Sequence, residues 1–141
     1  MLETEVKFSC PKTGDVKIYT YQHSEKHRDG NRGKSQWTIS VDEEAYSFQS
    51  SCDGGWTVGA CGWGLHIVDG AISNLGFDRE AGDVFLAKFD MHSYFQWHGY
   101  PCDYKKNNQC PTPQILQEWV AHGYLRLAQM RKITRGQRCA I

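Results

Sequence analysis

No apolar run in this chain approaches the ~20 residues needed to cross a bilayer, so a membrane-spanning helix is not expected and no membrane partner is assigned. Met1 to Glu5 carries neither the basic flank nor the apolar stretch of an export signal, and the expected compartment is the cytoplasm. Internal repeats and low-complexity segments are absent, which excludes a solenoid or a linker array. Net charge is zero, so the chain as a whole is not a polycation or an acidic tail. Six cysteines occur, but never as a close Cys-x2-Cys pair. A chain of this length needs no covalent staples, so free thiols are expected.

What is present suits one packed domain spanning 1-141. Five tryptophans, seven tyrosines and six phenylalanines supply large buried areas from few side chains, and disorder does not fit such a composition. Charge is unevenly distributed. Residues 1 to 41 carry seven Lys/Arg against five Asp/Glu, residues 42 to 103 two against ten, and residues 104 to 141 seven against one. The middle is therefore acidic and the end basic, either matched within the molecule or offered to a partner.

Glu3 to Ser9 and Val16 to Gln22 read as a first hairpin around the turn-forming Pro11 to Asp15. His23 to Ser35 reads as a polar loop in which His23 and His27 have no helix to fix their geometry. Trp37, Ile39 and Val41, then Glu44, Tyr46 and Phe48, alternate as a second pair of strands. The glycine-rich stretch from Gly54 to Gly64 lacks the Gly-Lys-Ser/Thr ending of a phosphate loop and reads as tightly turned β structure that lets indoles pack. Asp69-Gly70 marks another hairpin, and Asp83 to Phe89 reads as a central strand. The expected fold is α+β: a mainly antiparallel sheet over residues 3-89 within a β-rich segment 1-90, an irregular link 91-111, and a helical hairpin 112-136. Thr112 and Pro113 open that hairpin, and Gly123 and Gly136 stop its two helices.

The stretch from His92 to Cys110, centred on Trp97 to Cys102, gathers the groups with chemistry. His92, His98, Cys102 and Cys110 are the nitrogen and sulfur donors tetrahedral zinc prefers. Their intervals of six, four and eight positions are not those of a structural zinc motif, so no cofactor is assigned. His98 and His92, with Lys88, Lys105 or Lys106 to steady developing negative charge, meet the residue requirements of a metal-independent nuclease or another hydrolase. Trp97, Tyr100 and Tyr104 offer an aromatic patch, and the closing helix offers Arg131, Lys132 and Arg135 to phosphates or to an acidic protein. The first reading is an interaction protein that engages a macromolecule through the 92-110 link and the basic helix. Residue types alone do not separate a protein partner from a nucleic acid, and the hydrolase is the competing class.

Overall fold

The computed structural model describes residues 2-31 and 33-141 and is a mixed α+β fold. Its main sheet is ordered β1 (Glu3–Ser9), β2 (Val16–Gln22), β10 (Gln96–Cys102), β9 (Leu86–Ser93), β5 (Cys61–Val68) and β4 (Thr57–Val58), with β6 (Ala71–Ser73) also paired to β5. Pairings within it are antiparallel except β2 with β10, which run parallel over Gln96 to His98. A second sheet of three strands comprises β3 (Gln36–Trp37), β7 (Gly76–Asp78) and β8 (Gly82–Val84). The chain leaves the second sheet for the main one at Phe85, so the single strand expected from Asp83 to Phe89 is divided there. Among the described residues no helix is long and apolar enough to cross a membrane, and all six cysteines are free thiols, as expected.

Helix α1 (Val41–Gly54) replaces the strand expected at Glu44 to Phe48. Its local signals are strong: Ser40 accepts from the Glu43 N–H while the Glu43 carboxylate accepts from the Ser40 N–H, a complete capping box. Glu44, Ser47, Phe48, Ser51 and Cys52 form the buried face, which is helical spacing, but three of the five are polar and the apolar period is hidden. The helix lies on one face of the main sheet. Ser47 and Ser51 stand over Gly64 and Gly62 of β5, and a Cβ on Gly64 would fall 2.8 Å from Ser47 Oγ. The strand glycines therefore admit a helix, where close indole packing was expected.

Helices α2 (Pro113–Ala121) and α3 (Leu127–Thr134) cover part of the opposite face. Thr112 Oγ1 accepts from the Ile115 N–H, and Gly123 and Gly136 take positive φ. Ile115, Leu116, Trp119 and Ile133 join Trp63, Leu65 and Leu86 in one apolar cluster, while Phe48, Tyr21, Phe89 and Trp97 form another on the α1 face.

The irregular link expected over 91-111 is largely a β-hairpin. Strand β10 occupies seven of its residues, between β2 and β9. Trp97, Gly99 and Pro101 are buried on one side of the strand, Trp97 against Phe48 of α1 and Pro101 against Gly76 of β7, so the strand alternation is present, but glycine and proline on that side conceal it.

Candidate functional site

On the face away from α1, β9 and β10 bring a row of polar groups together. Cross-strand pairing sets His98 opposite Asp90 and Tyr100 opposite Lys88. The register shifts between Gln96 and Trp97. Gln96 pairs with Ser93 and Trp97 with Met91, so His92 is the extra residue of a β-bulge. That bulge presents its imidazole to His98, with Nδ1 to Nδ1 at 3.0 Å. The pair borders a recess of about 180 Å³ shared with Gln22 and Ser24. His92 is exposed and His98 half-buried. Burial, and then repulsion from His92, hold the His98 pKa below its ordinary value of 6.5, so at neutral pH its ring is neutral.

Beside the pair, Lys88 is only 5 % exposed. Its ammonium lies 3.2 Å from Asp90 Oδ1 and 5.5 Å from the centre of the Trp63 ring, which compensates the buried charge. His27 reaches the same face from the 23-35 loop and stacks on Tyr100 at 5.4 Å. Its Nδ1–H donates to the Ser35 carbonyl at 2.8 Å, which fixes the tautomer with Nε2 unprotonated when the ring is neutral. Burial lowers the His27 pKa and keeps it so at neutral pH.

The loop carrying His27 is anchored from below by a buried carboxylate. Glu44 is fully enclosed. Its Oε2 accepts from the Tyr21 hydroxyl at 2.5 Å, and its Oε1 accepts from Arg28 Nη2 at 2.7 Å and Nε at 3.1 Å. Arg28 also donates to the Ile39 carbonyl, and His23 Nδ1 lies 3.3 Å from Glu44 Oε1. His23 and His27, expected in a polar loop without a helix to fix their geometry, each meet a specific partner, Thr4 Oγ1 at 3.1 Å from His23 Nε2 and the Ser35 carbonyl for His27. Neither this network nor the role of Glu44 was legible, because Glu44 sat in an expected strand and its partners lie up to 23 positions away.

The other residues singled out by sequence lie elsewhere. Lys105 borders a separate small depression with Asp83, Arg138 and Cys139, and is not among the groups around the histidine pair. Trp97 is 0 % exposed, wedged between Tyr19 and Phe48 in the core, so its indole is not offered to a partner. Tyr104 is buried too, its hydroxyl donating to the Gln137 carbonyl and tying down the end of the chain; Tyr100 is half-buried under His27. Arg131, Lys132 and Arg135 are exposed on α3 and make no ion pair among the described residues.

The zinc donor set does not converge. The histidines meet each other, but the Cys102 thiol lies beside Gln109 and the Cys110 thiol faces the Ile133 carbonyl. Among the described residues no three His, Cys, Asp or Glu side chains are grouped to hold a metal ion. Burial pushes the Cys102 thiol up, which suits packing rather than nucleophilic attack.

Comparison of the chain with protein-family models, with curated proteins and with solved structures finds no match.

Proposed function

We propose that this protein is a hydrolase of RNA phosphodiesters in which His92 and His98 act as one bifunctional acid–base group. The observation that carries this reading is the 3.0 Å contact between their Nδ1 atoms. In a neutral pair joined this way, one ring donates its Nδ1–H and must present an unprotonated Nε2. The other accepts at Nδ1 and must present Nε2–H. In the neutral pair a base and an acid therefore stand side by side whichever ring carries the bridging proton. Separate histidines achieve this only in a narrow pH range.

RNA carries its own nucleophile beside each phosphate. The unprotonated Nε2 takes the proton of the 2′-hydroxyl as its oxygen bonds to phosphorus. The bridging proton crosses from one Nδ1 to the other, and the second ring gives its Nε2 proton to the departing 5′-oxygen. One P–O bond forms and one breaks, and the product is a 2′,3′-cyclic phosphate. The pair is left in the opposite tautomer. Water attack on the cyclic phosphate, run in the reverse sense, restores it.

The test is cleavage of a fluorogenic oligoribonucleotide in chelator-containing buffer. Cleavage by the wild type is expected to fall by ~10²-fold or more in H98A and in H92A, the range of a lost general acid or base. No cleavage of RNA by the wild type, or unchanged rates in H98A, would overturn the reading.

A second reading keeps the macromolecular-interaction function, carried by the exposed Arg131, Lys132 and Arg135, which make no ion pair among the described residues. On that view α3 supplies nonspecific phosphate contact, and the aromatic contribution expected from Trp97 and Tyr104 is lost to their burial. Electrophoretic shift of single-stranded RNA that is independent of His98 would favour it over the hydrolase.

A further inference from the structure

Next to the histidine pair along β10 lies a cavity of about 330 Å³, and we infer that it is a guanine subsite. The inference rests on the RNA-hydrolase reading for its substrate but on separate residues for its chemistry. Its back wall is the His27 ring, supported by Tyr100. Such a backed aromatic plane is a stacking platform for a base.

Two polar groups in the cavity have unused hydrogen-bonding capacity, of opposite kinds. Gln109 Oε1 accepts from the Tyr100 hydroxyl at 3.2 Å and from the Cys102 thiol at 3.3 Å. These bonds fix the amide and leave Nε2 as a donor with no partner among the described residues. Asp103 is 7 % exposed. Its Oδ1 accepts from the Lys105 N–H, while Oδ2 has no hydrogen-bond partner among the described residues. That oxygen is free to accept a hydrogen bond from a ligand.

A carboxylate and an amide donor lining one cavity can select among bases. Guanine presents two adjacent N–H donors and a carbonyl acceptor on one edge, so the carboxylate takes both donors and the amide meets the carbonyl. Adenine and cytosine place a lone pair where the carboxylate needs a proton. Uracil offers one donor only and a smaller ring for the stack. Tyr100 is two residues from His98 on the same strand face, a spacing of roughly 7 Å. That sets the adjoining phosphate of a guanine nucleotide at the histidine pair, with Lys34 and Arg79 at the rim of the cavity.

Isothermal titration of the full chain with guanosine, adenosine, uridine and cytidine 3′-monophosphates tests the subsite without requiring turnover. The guanine nucleotide is expected to bind about tenfold or more tightly than each of the others, at the lower end of what a bidentate base contact discriminates. D103N keeps the oxygen that accepts from Lys105 and turns the open oxygen into a donor. It is expected to abolish the preference while its unfolding midpoint stays near wild type. Q109L is expected to weaken guanine binding in the same direction. Equal binding of all four nucleotides, a uridine preference, or a guanine preference intact in D103N would each overturn the subsite. RNA cleavage without guanine preference would overturn it and leave the hydrolase standing; guanine binding without RNA cleavage would do the reverse.

Discussion

A hydrogen-bonded imidazole pair responds to pH differently from two separate ones. The neutral His92–His98 pair already contains its base and its acid, so only protonation of the pair removes the base. His98 is the ring with a depressed pKa, held down by burial and by His92. Activity is expected to fall with unit slope on the acid side of neutrality, as the pair takes up its first proton, and to stay level from about pH 7 to 9. A bell-shaped profile of kcat/KM, with a second limb near neutrality, would show the two rings working as separate acid and base. Stability follows the same sign. Between the depressed pKa and 6.5 the unfolded chain binds the proton more readily than the folded one. The fold therefore loses stability as pH falls through that window and suffers no such loss above it.

Glu44 is a residue whose importance comes from what it would leave behind. Removing its carboxylate in E44A takes the acceptor from the half-buried Arg28 guanidinium and from the buried Tyr21 hydroxyl. The expected loss is about 1–3 kcal/mol, the usual result of leaving buried or half-buried hydrogen-bonding groups without their acceptor. E44Q keeps an acceptor and is expected to lose less. Urea unfolding followed by tryptophan fluorescence measures both. Equal stability of E44A and wild type would mean that Arg28 and Tyr21 find new partners without cost.

At the level of elements, the contact between α1 and β5 depends on small groups on both sides. Ser47 donates to the Leu65 carbonyl at 2.9 Å, and Gly64 leaves no room for a side chain, since a Cβ there would lie 2.7 Å from the Phe89 ring. G64A is expected to destabilise by about 1–3 kcal/mol through overpacking. S40A, which removes the cap of the same helix, is expected to cost about 1 kcal/mol. Denaturant midpoints of the two variants check both values. The same contact explains what sequence could and could not reveal. The β1–β2 hairpin, the Asp69-Gly70 turn and the capped helices α2 and α3 announce themselves through local turn and cap chemistry. Helix α1 does not, because its buried face is mostly polar and is matched by distant glycines. Strand β10 is hidden because its core-facing side reads Trp97, Gly99, Pro101. In the site, His92 and His98 were legible as residues but not as a pair, since their meeting depends on a bulge that only strand register creates. His27, Asp103 and Gln109 reach the same face through loops, and no spacing in the sequence marks them.

The charge asymmetry of the chain takes on a definite geometry in the whole molecule. The acidic middle third supplies Asp90 to Lys88 and Asp78 to Lys106, so some of it is matched internally. The cations of α3 are not matched in this way. Since α2 and α3 pack on the same sheet face that holds the histidine pair, a strand of RNA bound at the pair has a basic helix on the side of the molecule it already occupies. Such contacts bind substrate and transition state equally, so they belong in KM and leave kcat alone. Reversing Arg131 and Arg135 to glutamate is therefore expected to raise KM for a long RNA by at least about tenfold at low salt with kcat unchanged, and to flatten the dependence of KM on salt, because fewer counterions are displaced. A dinucleotide too short to reach α3 is expected to be cleaved equally by both proteins. A loss of kcat on that dinucleotide would place α3 in the catalytic centre, and an unchanged KM on long RNA would return its charge to the role of a solvated surface.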